Sequence, residues 1–127
     1  MSNLNDFLPV KGKLSKVGTP VSSNHTDYDT RYSSPALDLS TGDVFSVTNA
    51  DGTNQCFIQL NTDGTNVGDQ VMVVNDSNGT GSGQAIELCT VKPTSSITMA
   101  GRSSGEARKC LVLLWTGTAW ATDWDAG

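Results

Sequence analysis

Residues 107–125 read ARKCLVLLWTGTAWATDWD. An apolar run, Cys110-Leu111-Val112-Leu113-Leu114-Trp115, meets Thr116-Gly117-Thr118 and comes back through Ala119-Trp120-Ala121-Thr122. A short run of β-favouring apolar residues bounded by a glycine turn is the pattern of a buried strand entering a hairpin. All three tryptophans of the chain fall between Trp115 and Trp124. Trp115 and Trp120 read as core residues facing each other across the hairpin. Trp124, beyond the last expected strand, reads as a contact with a neighbouring subunit or with a ligand such as a sugar ring.

Upstream, the same period of two recurs. Ala36 to Ser40, Val44 to Thr48, Gln55 to Leu60, Gln70 to Val74, Ala85 to Val91 and Ser96 to Met99 each read as a strand. Asn49-Ala50-Asp51-Gly52-Thr53-Asn54 centres on Asp-Gly, a strong hairpin cue. Residues 75–84, NDSNGTGSGQ, form a glycine-rich polar linker. No stretch carries a helical period. The fold class expected is all-β: an antiparallel β-sandwich or small barrel over residues 35–127. Residues 1–34 have little core-forming content and read as an extended N-terminal arm, disordered alone or ordered on a partner. Its apolar and aromatic residues, Phe7, Leu8, Tyr28 and Tyr32, together with Arg31, are the candidate partner contacts.

The 127 residues suit one domain; 36% are hydrophobic and 17% charged, and the net charge is −5. Nucleic-acid binding needs clustered Lys and Arg against phosphate. Lys11, Lys13 and Lys16 are the only such group, so no nucleic-acid partner is expected. No run approaches the ~20 apolar residues that span a bilayer, and no membrane partner is expected either. The opening MSNLNDFLPVKGK has no charged start followed by a long apolar core, which points to folding in a reducing cytoplasm. Cys56, Cys89 and Cys110 each sit in an apolar run, so buried free thiols are expected, without CxxC metal spacing.

Catalysis finds little purchase. The single histidine, His25, lies near Asp27 and Asp29 in a polar loop and reads as solvated. Acid pairs such as Asp43 with Glu87, or Asp63 with Asp69, are available for glycoside chemistry. However, Asp43, Asp51, Asp63, Asp69 and Asp76 stand beside Gly or Asn, where an aspartate caps its own turn. The loop of residues 61–66 lacks the terminal Glu of a calcium loop. Neither an enzyme, a cofactor nor a metal is expected.

The opening Asn5-Asp6-Phe7-Leu8-Pro9, followed by Thr/Gly/Asn-rich strands, resembles small virion proteins of tailed bacteriophages. The ending Trp115-Thr116-Gly117-Thr118-Ala119-Trp120 is similar to the W-x-G-x-x-W strand–turn–strand that closes many of their modules. Head decoration (cement) proteins, head fibres and tail-fibre domains are examples. The resemblance implies a non-enzymatic, homotrimeric β module made in the host cytoplasm and located in the virion. It further implies an arm docked on the major capsid protein or another virion protein. The alternative within the same resemblance is a receptor- or glycan-binding fibre module.

Overall fold

Alternation on a period of two decides which residues face inward. In the strand Val44–Asn49 every second residue, Phe45, Val47 and Asn49, is buried; Val71, Val73 and Asn75 repeat the pattern in Gln70–Asn75. The fold comes from a computed structural model that describes residues 16–62, 65–77, 84–90, 95–101 and 109–122. Its strands are β1 (Val21–Ser23), β2 (Val44–Asn49), β3 (Cys56–Gln59), β4 (Gln70–Asn75), β5 (Ile86–Thr90), β6 (Ser95–Met99), β7 (Lys109–Trp115) and β8 (Trp120–Ala121). A 3-10 turn lies at Arg31–Ser33, and no helix among the described residues is long and apolar enough to cross a membrane.

The strands form a five-stranded sheet, β1-β2-β4-β7-β8, and a three-stranded sheet, β3-β5-β6. The expectation of purely antiparallel order is corrected here. β1 with β2, β2 with β4, and β3 with β5 run parallel; β4 with β7, β5 with β6, and β7 with β8 run antiparallel. The reason lies in the connections. After β2 and after β4 the chain crosses to the small sheet, and after β3 it returns, so β2 and β4, and likewise β3 and β5, point the same way. Residues between β1 and β2 take the same path. Phe57 N donates to His25 O at 2.9 Å, Gln59 N to Pro35 O at 2.8 Å and Leu37 N to Gln59 O at 2.9 Å, which seats this segment beside β3. The described residues between Val21 and Thr90 thus pass back and forth between the sheets, and β6, β7 and β8 follow in antiparallel order.

Asp51-Gly52 makes a turn, with Gly52 at φ 78°, yet it joins the two sheets rather than closing a hairpin. Both sides of β2 are already paired, and Asn49 bends the chain out of the sheet. Asn49 Oδ1 accepts from Asp51 N at 2.9 Å and Gly52 N at 3.1 Å, while Nδ2 donates to Asn54 O and Ala85 O at 2.9 Å. Ser23 pairs with Asn49 in register, and Asn49 N donates to Ser77 Oγ at 2.8 Å. A buried polar file, Ser23–Asn49–Ser77, therefore marks the edge where the coils leave the large sheet.

One core serves both sheets. Phe45, Val47, Val71, Val73 and Leu113 from the large sheet meet Ile58, Ile86, Leu88 and Met99 from the small one. Burying such a side chain contributes about 1.5–3 kcal/mol. The hairpin of residues 115–120 has the expected form: Trp115 pairs with Trp120 across Gly117 at φ 97°, ring centroids 5.5 Å apart, both buried. Of the expected strand at residues 36–40, only Ala36 pairs, with Gln59. Asp38 turns the chain instead, accepting from the hydroxyl and the amide of Ser40, and these bonds hold its carboxyl below the usual range.

Two expectations change further. Residues 16–34, assigned to an arm, are built into the body through β1 and the segment beside β3, because Ser23 and Gly18 reach buried positions there. Cys56 and Cys89 are buried free thiols, but Cys110 is exposed. It lies on the face of β7 opposite Leu111 and Leu113, near the start of the strand.

Deletion of residues 1–34 strips β1 and exposes Phe57, and should lower the thermal midpoint by about 10 °C or more, as a loss of a few kcal/mol does; calorimetry on the truncated chain decides. Burial pushes the Cys56 and Cys89 thiols up from their ordinary value of 9.0. A raised thiol value means the folded state holds the proton more tightly than the unfolded chain does. This stabilisation is complete below pH 9.0 and declines above it. Urea midpoints should therefore fall on the alkaline side, while a thiol reagent at neutral pH labels Cys110 alone in the native protein.

Candidate functional site

The sequence Tyr28-Asp29-Thr30-Arg31-Tyr32 places two rings and a guanidinium within one turn, and the fold turns that turn onto the small sheet. Asp29 N donates to Asp27 Oδ1 at 2.9 Å, and Ser33 N and Ser34 N close the 3-10 turn onto Thr30 O and Arg31 O. Ser34 Oγ also donates to Arg31 O at 2.6 Å, and Gln59 Nε2 to Ser34 O at 2.6 Å, fastening the turn to β3. In this setting the Arg31 guanidinium carbon lies 4.0 Å from the Tyr28 ring centroid and 4.5 Å from that of Tyr32.

Directional bonds hold the stack. Arg31 Nη1 donates to Tyr28 O at 2.9 Å, Nη2 to Tyr32 Oη at 3.2 Å, and Tyr32 Oη to Thr90 O at 3.4 Å. Tyr28 meets Phe57 edge-on at 6.1 Å, covering a ring that stands on the outer side of the small sheet. Tyr28 remains 59% exposed, one of three large exposed hydrophobics among the described residues. A cation between two rings is worth about 0.5–1 kcal/mol at an exposed position. The arrangement is thus a prearranged surface in which Tyr28 is exposed and Arg31 and Tyr32 are partly buried.

Of the expected contact residues, the structure brings together Tyr28, Arg31 and Tyr32. Phe7, Leu8 and Trp124 lie outside the described residues. Trp115 and Trp120 pack in the core, as expected of them. His25 bonds Thr30 Oγ1 through Nε2 at 2.9 Å, beside the same turn. Among the described residues no group of three His, Cys, Asp or Glu is placed to hold a metal ion. Several carboxylates cap backbone as their neighbours suggested: Asp51 Oδ2 accepts from Thr53 N and Asn54 N, and Asp69 Oδ2 from Asn66 N. The calcium-loop reading of residues 61–66 depends on Asp63 and Gly64, which lie outside the described residues.

A second concavity has no signal in any one stretch of sequence. Lys16, Leu39, Gly42, Asp43, Thr65, Asp69, Gln70, Val71 and Trp120 line a cleft of about 570 Å³. It forms where residues 16–18 cross residues 42–44: Asp43 Oδ1 accepts from Lys16 N at 2.9 Å, and Asp43 N and Val44 N donate to Lys16 O at 2.8 and 3.1 Å. Here glycine is required by contact. A Cβ on Gly42 would stand 2.6 Å from Lys16 O and 2.7 Å from Gly18 Cα, and one on Gly18 would meet the Phe45 ring. Compared with protein-family models, curated proteins and solved structures, the chain matches none.

Because the atoms facing Gly42 are backbone, they cannot yield as a flexible side chain does. Gly42→Ala is expected to lower stability by about 1–3 kcal/mol. Gly52→Ala, where no atom lies within 4 Å but φ is 78°, tests backbone strain alone. Urea unfolding of both variants separates the two effects.

Proposed function

We propose that this chain is a non-enzymatic structural protein of a virion, a head decoration or cement protein that holds neighbouring capsid subunits together. In this reading it is made in the host cytoplasm and joins the particle as a homotrimer, its two sheets serving as a sandwich-like body. The observation that carries the proposal is the Tyr28–Arg31–Tyr32 stack. Tyr and Arg are over-represented at the energetic centres of protein–protein interfaces, offering broad contact for few torsions. Here the guanidinium is held by its bond to Tyr28 O, the Tyr32 ring by its bond to Thr90 O and the Tyr28 ring by its edge contact with Phe57, so docking loses little further freedom.

Two bulk features agree with it. A net charge of −5 suits contact with protein and disfavours packaging nucleic acid. A modest apolar content gains from burial shared between symmetric copies. In this reading Phe7 and Leu8 bridge to the next subunit.

Purified protein should run at about three times 13.4 kDa in light scattering. It should also sediment with tailed-phage heads from which it has been stripped. Tyr28→Ala and Arg31→Ala are each expected to weaken that uptake about 30-fold, the ~2 kcal/mol of a hot-spot residue, with near-ultraviolet circular dichroism preserved. Uptake equal to the parent's in both variants would reject the stack as the docking surface, and no uptake by the parent would reject the virion role.

A further inference from the structure

Two strands of the large sheet are apolar on both faces. In β4, Val71 and Val73 point into the core while Met72 and Val74 point away from it; in β7, Leu111 and Leu113 point in while Val112 and Leu114 point out. Unbroken apolar runs of this kind belong to strands that are covered on both sides. The small sheet covers the inner side, where its residues join the common core.

Register sets the outward residues side by side. Val17 bridges Val44, Val44 pairs with Met72, and Met72 pairs with Val112, which makes one apolar row across four segments. Val74 and Leu114 flank the row, each two residues along its own strand. Val17 is 74% exposed, so the row is open to solvent at that end. Strands stand ~4.8 Å apart and successive rows on one face ~6.7 Å apart, so the patch spans roughly 20 by 14 Å. An apolar patch of this extent on a protein surface is commonly a contact site. We propose that copies of this chain associate through this face, the outer side of β2, β4 and β7, and that the homotrimer of the reading above forms there. The proposal rests on that reading only for the number of copies.

Charge selects a second copy as the occupant. Ser22, Ser46, Thr48 and Gln70 are the polar residues pointing the same way, and the five strands present no charged side chain on this side. Two chains of net charge −5 repel wherever their acids face each other, and on this face they meet with no charge opposed. A different protein that recognised so acidic a chain would be matched to it by charge, and this face offers none to match. An apolar centre within an uncharged Ser, Thr and Gln margin has the anatomy of an interface core. Sheets cover one another face to face at ~10 Å, and the same sheet of another copy supplies such a cover. The Tyr28–Arg31–Tyr32 stack lies against the small sheet instead, so association leaves it free to dock.

The test is light scattering after size exclusion on the full chain at several concentrations. The parent is expected to run as an oligomer. Met72→Lys, which sets an ammonium at the centre of the row, is expected to run as a monomer of 13.4 kDa. Its lysine stem can lie along the face with the charge in water, so near-ultraviolet circular dichroism should stay native. Should lysine disturb folding, the double variant Met72→Gln with Val112→Thr keeps side-chain size and carries the same test. It is expected to raise the dissociation constant about tenfold or more, because it places unpaired polar groups in the contact. Tyr28→Ala should keep the parent's mass. Three results would overturn the proposal: a parent that is monomeric at every concentration, face variants that keep the parent's affinity, or a monomeric Tyr28→Ala. A dimer split by Met72→Lys would uphold this face and reject the trimer. Uptake of the parent onto stripped phage heads is scored separately, so the virion role can fail while the interface stands.

Discussion

Wherever the chain leaves the large sheet, its peptide groups lose their ladder partners while still inside the protein. Ser23, Asn49, Asn75 and Ser77 stand at those points, all buried. Their side chains take over: Ser23 Oγ donates to Phe57 O at 2.6 Å, and Asn75 Nδ2 donates to Gln84 O at 2.9 Å and Met99 O at 3.2 Å. A buried peptide group without a partner costs about 1–3 kcal/mol, so each crossing stands or fails on such a bond. The parallel pairing of β1, β2 and β4 follows from these crossings, and so does the single core enclosed between the sheets.

That frame explains why the surface features sit where they do. The segment between β1 and β2 has to travel along β3 before it returns, and its 3-10 turn projects Tyr28 and Arg31 outward from the small sheet. Phe57, on the outer side of β3, gives Tyr28 a ring to rest on. At the other edge, residues 16–18 cross residues 42–44 at backbone contact distance. Only glycine fits at the crossing, and the cleft opens beside it. One half of the surface is thus built from neighbours in sequence, the other from four distant segments.

This difference decides how much of each feature could be read in advance. Tyr28, Arg31 and Tyr32 were visible as candidates because a turn keeps residues three or four apart close together. Lys16, Asp43, Gln70 and Trp120 carried no mutual signal, since nothing in their spacing says that four segments converge. The acids showed the reverse pattern: Asp51 and Asp69 beside Gly or Asn were legible as turn caps, and each caps a turn. Cys110 was misread because an unbroken apolar run hides which parity faces the core, and β7 begins where the sheet edge is open to solvent.

Composition and alternation by themselves determined that the chain would be strands, where β2 to β7 would lie, and that Trp115 and Trp120 would pair. These depend on local sterics and on which side of a strand is apolar, information carried within a few residues. Which strands became neighbours, in what direction, and that residues 16–34 belong to the body were decided only by tertiary structure. Asp-Gly serves a hairpin and an inter-sheet crossing equally well. The choice fell to Asn49, whose bonds to Asn54 O and Ala85 O join residues 5 and 36 positions away in the chain.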